Sequence, residues 1–275
     1  MNFLLYPNET SDAALACAAA LTSRLRQAGH DCRSLSQADA PWLSGVNLAV
    51  IVGGDGTVLR AVRALHQWGF PFWGVNCGHL GYLTECEPAE APEALNRILR
   101  GDYRVEKRAL LTGSLLSAGE DTPFFALNEA VLHRSAYARN MRLTLSVDGA
   151  SIQRFAGDGI LVSTPTGSTA YNLSAGGPIL LPSSVQAVIT PICPHAAMSA
   201  PLVVSGEEEI TLSVELSAAD EAGELPQLVV DGCQRLTLHS GDVVRCRIAP
   251  QRVCFVKTGG QGFYRRLQQK LAQSR

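Results

Sequence analysis

An apolar run over residues 46–52 ends abruptly in a glycine-rich cluster, and apolar residues then recur at helical spacing as far as residue 68. A continuous apolar run is typical of a strand that is covered on both faces, as in parallel sheets. Strand and helix patterns alternate through the first hundred residues, with strands at 3–6, 46–52 and 72–75 and helices at 12–28, 57–68 and 92–99. This alternation predicts a parallel sheet covered by helices.

The pattern changes after about residue 105 to strand-like runs separated by turn residues. These runs lie at 110–116, 124–132, 141–147, 159–163, 209–216, 227–230 and 242–248. Asp148-Gly149 between two runs predicts a hairpin turn, and Gly241 marks another turn. We therefore expect an α/β domain at 1–105, a β-rich domain at 106–250 and a tail at 251–275, helical over 263–272, that packs back on the first domain.

Composition excludes several classes of function. The chain of 275 residues has a formal net charge of -2, so it offers no general cationic field for nucleic acid or acidic membranes. No apolar run approaches the roughly 20 residues that span a bilayer, and the first residues lack the basic region of a signal peptide. The eight cysteines show neither a C-x-x-C pair nor zinc-like spacing. We expect a cytoplasmic protein without a nucleic-acid or membrane partner and without a tightly bound metal.

The glycine-rich cluster consists of Gly53, Gly54, Asp55, Gly56 and Thr57. Glycines between a strand and a helix let N–H groups at the helix N-terminus approach phosphate oxygens, which suits a polyphosphate. The cluster matches neither the Walker pattern nor the dinucleotide fingerprint. A carboxylate there would repel the ligand unless it binds magnesium or takes a proton, so Asp55 is the candidate base or metal partner. The alternative is that Asp55 only caps the following helix.

A second unusual stretch joins Asp158-Gly159 to a run rich in hydroxyl residues at 163–171. Hydroxyl groups and backbone amides crowded at one turn suit recognition of a sugar or a phosphate. The ordinary alternative is a solvent-exposed loop. The flanking glycines at 176 and 177 and a short helical window at 168–174 favour a functional segment.

Asn128-Glu129 places two polar side chains within an otherwise apolar run. Buried polar groups need partners, and a carboxylate accepts well from a ribose diol while an amide can address a base edge. An internal hydrogen-bonded pair at a sheet edge explains the stretch equally well. His133 and His195 lie beside no recognisable nucleophile, so we interpret both as structural.

Taken together, these stretches resemble the NAD kinase family. The likeness rests on residues 53–57, 74–83, 128–129 and 158–171, in matching order and spacing, and extends into 174–180, 190–195 and 230–232. The stretch at 74–83 is the more specific one, because lipid kinases and phosphofructokinases share the first. The resemblance implies an α/β plus β fold, with an N-terminal Rossmann-like α/β domain and a C-terminal β-rich, β-sandwich-like domain. It also implies NAD in the crevice between them, in a homodimer or homotetramer.

The resemblance further implies a kinase that transfers the terminal phosphate of ATP, or of another polyphosphate donor, to the 2′-hydroxyl of the adenosine ribose of NAD, producing NADP. Mg²⁺ or another divalent cation would accompany the donor, and Asp55 would accept the proton. The residues implied for the donor phosphates are Gly53, Gly54, Gly56, Thr57 and Arg60. The residues implied for NAD are Asp55, Gly56, Tyr82, Asn128, Glu129, Arg139, Ala156, Asp158, Thr169, Ala170, Tyr171, Asn172, Leu173 and Ser174.

Two positions depart from the family pattern. Cys233 follows Asp231-Gly232 where such enzymes usually place Gln, and Asn172 stands where Ser is common. The competing interpretations are a lipid or sugar kinase that shares the first stretch, and a dinucleotide-binding regulator without catalysis. A regulator would tolerate loss of Asp55, whereas a kinase would not.

Overall fold

The computed structural model describes residues 1–78, 81–134, 141–195, 200–217, 224–259 and 262–273. The chain divides into two compact units, one formed by Met1–Lys107 with Val253–Arg275 and the other by Arg108–Arg252. The helices are α1 Asp12–Gln27, α2 Ala40–Leu43, α3 Asp55–Leu65, α4 Ala91–Leu99, α5 Tyr171–Ser174 and α6 Phe263–Gln273. The strands are β1 Asn2–Pro7, β2 Asp31–Ser34, β3 Leu48–Val52, β4 Phe72–Val75, β5 Arg104–Ser117, β6 Glu120–Ala126, β7 Glu129–His133, β8 Met141–Val147, β9 Ala150–Gly157, β10 Gly159–Ser163, β11 Ala187–Ile192, β12 Leu202–Val204, β13 Ile210–Glu215, β14 Gln227–Val230, β15 Gln234–Thr237 and β16 Val243–Lys257.

The first unit is built on a parallel sheet in the order β2-β1-β3-β4, and the end of β16 pairs in parallel with β4 through Phe255 and Phe72. All five residues of β3 are buried, as expected for a strand covered on both faces. Ser11 caps the N-terminus of α1, and its side chain accepts from the N–H of Ala14. The apolar sides of α1 and α4 share one core with alternate residues of the strands.

The second unit consists of antiparallel strands. Its six-stranded sheet, so far as the described residues show, has the order β12-β11-β10-β7-β14-β15. A further ladder runs from the start of β16 through β13 and β8 to β9, and β5 pairs with β6 and β16. Alternate residues of both sets of strands, such as Ile160 and Val162 on β10 and Leu143 and Leu145 on β8, share one core. Such sharing defines a β-sandwich-like layer structure, so the predicted α/β plus β fold class is confirmed.

Two local predictions had different outcomes. The hairpin turn is confirmed, because Asp148 and Gly149 both have positive φ, 47° and 76°, between the paired strands β8 and β9. The single strand expected at 124–132 is wrong, because the chain breaks at 127–128 and continues as β7 in a different ladder. The break has a physical cause: the side chain of Asp231 takes the N–H groups that a continuous strand would have used.

Within the part of the chain that the structure describes, no helix has the length and apolar character needed to cross a membrane.

Candidate active site

The glycine-rich turn joins the end of β3 to the start of α3 in the first unit. Gly53 donates its N–H to the carbonyl of Val75 at 2.9 Å, which ties the turn to the end of β4. A Cβ atom at Gly53 would lie 2.5 Å from Oγ1 of the buried Thr57, so the turn needs glycine there. Arg60, one turn along α3, donates to the same hydroxyl at 3.3 Å. Because the first N–H groups of a helix have no partner within it, and Gly56 is exposed, the turn offers donors to an anion.

Asp55 is the first residue of α3, and backbone from another segment holds its carboxylate. The N–H of Tyr82 donates to Oδ2 at 2.7 Å, and the N–H of Leu83 donates to Oδ1 at 3.0 Å. Gly81 permits this approach, since a Cβ atom there would lie 2.0 Å from Oδ1. The helix cap is Gly54, so the alternative in which Asp55 only caps α3 is not observed. A carboxylate has about four lone-pair positions, so Asp55 keeps acceptor capacity for a further donor.

The side chain of Tyr82 is half-buried against the C-terminal helix. Its ring lies 6.4 Å from the ring of Phe263, centroid to centroid, and Lys270 Nζ lies 4.4 Å from the ring centroid. Burial of the phenol, and then the charge of Asp55, raise the pKa of Tyr82 above its ordinary value of 10.0. The hydroxyl therefore keeps its proton at neutral pH.

In the second unit, Asn128 and Glu129 lie over the side chain of Asp231. Asp231 accepts from the N–H groups of Leu127 and Asn128 at 2.8 Å and from that of Glu129 at 3.1 Å. Glu129 is 8% exposed, and its Oε2 has no hydrogen-bond partner in the structure as described. Burial, and then repulsion by Asp231, raise the pKa of Glu129 to about 8. A buried, unpartnered carboxyl group with a raised pKa is typical of a ligand site.

A cavity of about 570 Å³ opens beside Glu129, within the size range of small-molecule sites. Its lining brings together three residues predicted to bind NAD: Glu129, Asp158 and Tyr171. Tyr171 is 45% exposed and so presents much of its ring to solvent. Asp158 is not free, because Arg134 Nε lies 2.6 Å from its Oδ1 and the N–H of Arg134 donates to its carbonyl at 2.8 Å. The cavity therefore combines a buried carboxyl group, an ion pair and an aromatic ring.

The hydroxyl-rich segment is less exposed than a solvent loop would be. Thr164 donates to the carbonyl of Leu127 at 2.5 Å, and Ser168 donates to the carbonyl of Pro165 at 2.7 Å. Both hydroxyl side chains are buried. These hydroxyl groups hold the turn in shape rather than project from it.

Asn172, predicted to contact NAD, has partners within the protein for its side-chain amide. Its side chain is completely buried, with Nδ2 donating to the carbonyls of Ser168 at 3.1 Å and Pro178 at 3.0 Å. Its Oδ1 accepts from the hydroxyl of Thr190 at 2.7 Å. These bonds give the side chain of Asn172 a structural role within the segment. Its predicted contact with NAD stays a prediction.

The remaining residues predicted to bind NAD fall into three groups. The half-buried ones are Asn128, Ala156, Thr169, Ala170 and Leu173. Ser174 is exposed. The carbonyl of Ala156 already accepts from the N–H of His195 at 2.8 Å. Arg139 lies outside the described residues.

Sequence reasoning placed neither Asp231 nor Arg134 among the site residues. Asp231 lies in the family-like stretch at 230–232. The signal that could have found it is an acidic residue before Gly232, a pair that suits a left-handed turn, and Asp231 has a φ of 48°. Arg134 follows the strand residue His133, and nothing in the local sequence points to Asp158, 24 residues later. Within the described ranges, no cluster of three or more His, Cys, Asp or Glu residues suited to a metal ion is found.

The aspartate in the glycine-rich turn of the α/β unit suits a phosphotransferase of the kinase type. The buried carboxyl group beside a cavity in the β-rich unit suits binding of a small molecule. Comparison with known proteins narrows this class. Residues 10–103 match the family model of the ATP-NAD kinase N-terminal domain, and residues 127–258 match that of the ATP-NAD kinase C-terminal domain. The chain belongs to the NAD kinase family, and the predicted family is confirmed.

Similar proteins agree with this assignment. The NAD kinase of Moorella thermoacetica is 41% identical over 222 residues, which are 81% of this chain and 70% of that protein. The NAD kinase of Symbiobacterium thermophilum is 40% identical over 239 residues, which are 86% of this chain and 83% of that protein.

Solved structures show the same fold. The crystal structure of yeast NADH kinase complexed with NADH has a TM-score of 0.87 and 22% identity, covering 99% of this chain and 87% of that one. An NAD kinase from Archaeoglobus fulgidus in complex with ATP has a TM-score of 0.77 and 24% identity, covering 97% of this chain and 98% of that one.

Proposed function

We propose that this chain transfers the terminal phosphoryl group of ATP, or of another polyphosphate donor, to the 2′-hydroxyl of the adenosine ribose of NAD, producing NADP. The observation that carries the proposal is the carboxylate of Asp55, held at the helix end of the glycine-rich turn by the N–H groups of Tyr82 and Leu83. An acceptor hydroxyl needs a base, and the donor phosphates need N–H groups; this turn supplies both.

In this proposal the first unit handles phosphate and the proton. The N–H groups at the start of α3, together with Arg60, balance charge on the donor, and Asp55 accepts the proton of the attacking hydroxyl. In phosphoryl transfer the protein performs little covalent chemistry, so the rate acceleration comes from positioning the reactants and stabilising charge. A divalent cation such as Mg²⁺ supplies charge neutralisation on the donor phosphates when bound. A turn with a single carboxylate suits Mg²⁺, which is commonly bound by one or two carboxylates together with substrate phosphates.

The second unit, in the same proposal, holds NAD. Glu129 Oε2 is buried and has no partner within the described part of the chain, so a ribose hydroxyl that donates to it would satisfy this acceptor. The ion pair of Asp158 with Arg134 and the exposed ring of Tyr171 line the same cavity and offer polar and stacking contacts. Asn128, Ala156, Thr169, Ala170, Leu173 and Ser174 complete the proposed NAD contacts of this unit.

We further infer a homo-oligomer in a reducing, cytoplasmic compartment. All eight cysteines, each within the described ranges, are free thiols, as expected where disulfides do not persist. The family assignment is the sole support for the proposed oligomer, and sedimentation of the purified chain tests it.

The substrate assignment is tested by giving the purified protein a divalent cation and ATP with NAD, NADH, diacylglycerol, a sphingoid base or fructose 6-phosphate. NADP formation from NAD should exceed phosphorylation of any lipid or sugar, because Glu129 and Asp158 offer polar groups to a ribose. Preference for a lipid or sugar would overturn the substrate while leaving the fold untouched. Neither a lipid or sugar kinase nor a non-catalytic regulator is supported by the family assignment. Replacing ATP by inorganic polyphosphate identifies the donor.

A further inference from the structure

The loop at 81–86, whose backbone holds Asp55, is itself held from its other side by the C-terminal segment of the same unit. Arg266 on α6 donates from Nη1 to the carbonyl of Thr84, and from Nη2 to the carbonyl of Glu85 at 2.8 Å. The guanidinium thus bridges two consecutive carbonyl groups directly after Tyr82 and Leu83. Because Arg266 is 7% exposed, this bridge is shielded from water.

The carboxylate of Glu85 anchors the same loop to the strand before the tail. It lies 3.1 Å from Lys257 Nζ, accepts from the N–H of Thr258 at 3.1 Å and lies 3.5 Å from Arg266 Nη2. The side chains of Glu85, Lys257 and Arg266 are between 3% and 8% exposed. A buried ion cluster of this kind is weak evidence for stability, because desolvation of the charges offsets much of their attraction. What it does supply is a fixed position for the loop.

A third contact covers the side chain of Tyr82, the residue after Gly81. Phe263 and Lys270, both on α6, lie against the ring of Tyr82, whose N–H donates to Asp55. The loop also joins the sheet, since the N–H of Glu85 donates to the carbonyl of Gly74 at 2.7 Å. The loop is therefore fixed between the sheet and the tail, and Asp55 is its point of contact with the glycine-rich turn.

We propose that the tail clamp, formed by Lys257, Thr258, Phe263, Arg266 and Lys270 and received by Glu85, sets the orientation of the Asp55 carboxylate. Arg266 and Glu85 are positioning residues in this scheme, because they act through Tyr82 and Leu83 and touch no substrate. The proposal rests on the function proposed for Asp55. A hydrogen bond of 2.7 Å is lost when its atoms move apart by about 1 Å, and a misplacement of that size at a reacting group costs on the order of a hundredfold in rate.

Arg266→Lys tests the clamp, because lysine keeps the charge but replaces the planar fork that bridges two carbonyl groups. We expect kcat for NADP formation to fall by roughly tenfold to a hundredfold. KM for NAD and for ATP should stay within about twofold, since no substrate contact is removed. Arg265→Lys, at the exposed neighbouring position of the same helix, is the matched control and should leave kcat unchanged.

A double-mutant cycle with Asp55→Asn separates positioning from general loss of structure. If Arg266 acts through Asp55, Arg266→Lys should have no further effect on kcat in the Asp55→Asn background. An equal fall in both backgrounds, or an unchanged kcat in the single variant, would overturn the clamp.

Lys270→Met provides a second variant in case Arg266→Lys does not fold, because it removes the cation over the Tyr82 ring and leaves Arg266 unchanged. This variant should lower kcat without raising KM for NAD or for ATP. The fall in kcat should be absent in the Asp55→Asn background. An unaltered kcat in a folded Lys270→Met protein, with Arg266→Lys unfolded, also counts against the clamp. Failure of the proposed function would look different, since the wild-type chain would then form no NADP or Asp55→Asn would keep normal turnover.

Discussion

Glu129→Gln is expected to abolish a pH dependence of stability that the wild-type chain carries. Burial beside Asp231 raises the pKa of Glu129 to about 8 in the folded chain, from an ordinary value of 4.5. Between these two values the unfolded chain has released a proton that the folded chain retains. The free energy of unfolding therefore falls as pH rises from about 4.5 to about 8. Outside that range, titration of Glu129 does not change it. At about 1.4 kcal/mol for each tenfold change in proton affinity, the full loss is roughly 5 kcal/mol.

The assay must report on the second unit. All three tryptophans, Trp42, Trp68 and Trp73, lie in the first unit, so their fluorescence is the wrong probe. Unfolding followed by far-UV circular dichroism, with hydrogen-exchange protection factors along β7, reports on the strand that carries Glu129. The wild type, Glu129→Gln and the exposed control Glu207→Gln should be compared from about pH 5 to about pH 9.

The hydrogen-exchange protection of β7 should decline as pH rises in the wild type and in Glu207→Gln. It should not change with pH in Glu129→Gln. Glutamine keeps the shape of the side chain and has no proton to release in this range, so only the titration is removed. The same slope in all three proteins would refute the reasoning, because it would assign the pH dependence to other groups.

Three further variants test the candidate site. Asp55→Asn should keep the fold and much of the NAD affinity while lowering kcat by roughly 10²–10⁴, the usual effect of losing a general base. Circular dichroism checks the fold and steady-state assays measure kcat. Near-normal turnover would show that Asp55 is not catalytic. Glu129→Ala should weaken NAD binding by on the order of 1.5–3 kcal/mol and donor binding much less; unchanged NAD affinity by calorimetry would make the residue structural. Gly81→Ala should lower kcat, because the added Cβ would meet Asp55 Oδ1 at 2.0 Å, whereas Gly78→Ala, which has open space, should not. Equal rates in the two alanine variants would contradict that packing argument.

Features with a local cause could be predicted from the sequence. The hairpin turn at Asp148-Gly149 and the apolar strand at 72–75 depend on neighbouring residues only, and both are observed. Asp55 stood out because its flanking glycines make a lone carboxylate chemically unusual. What could not be predicted depends on distant partners: the chain breaks at 127–128 because Asp231, more than 100 residues later, takes its N–H groups. The fully satisfied environment of Asn172 depends in the same way on Thr190.

The carboxyl groups of Asp55 in the first unit and Glu129 in the second differ in their hydrogen-bond partners, and this difference supports the separate roles proposed for them. Asp55 already accepts one N–H on each oxygen, so its orientation is fixed before any substrate arrives. Glu129 Oε2 accepts from no donor among the described residues, and burial beside Asp231 raises the pKa of Glu129 to about 8. A ligand hydroxyl that donates to Glu129 would give its unpaired oxygen a partner, so Glu129 suits ligand binding. Asp55 is already held in a fixed orientation, so it suits removal of a proton.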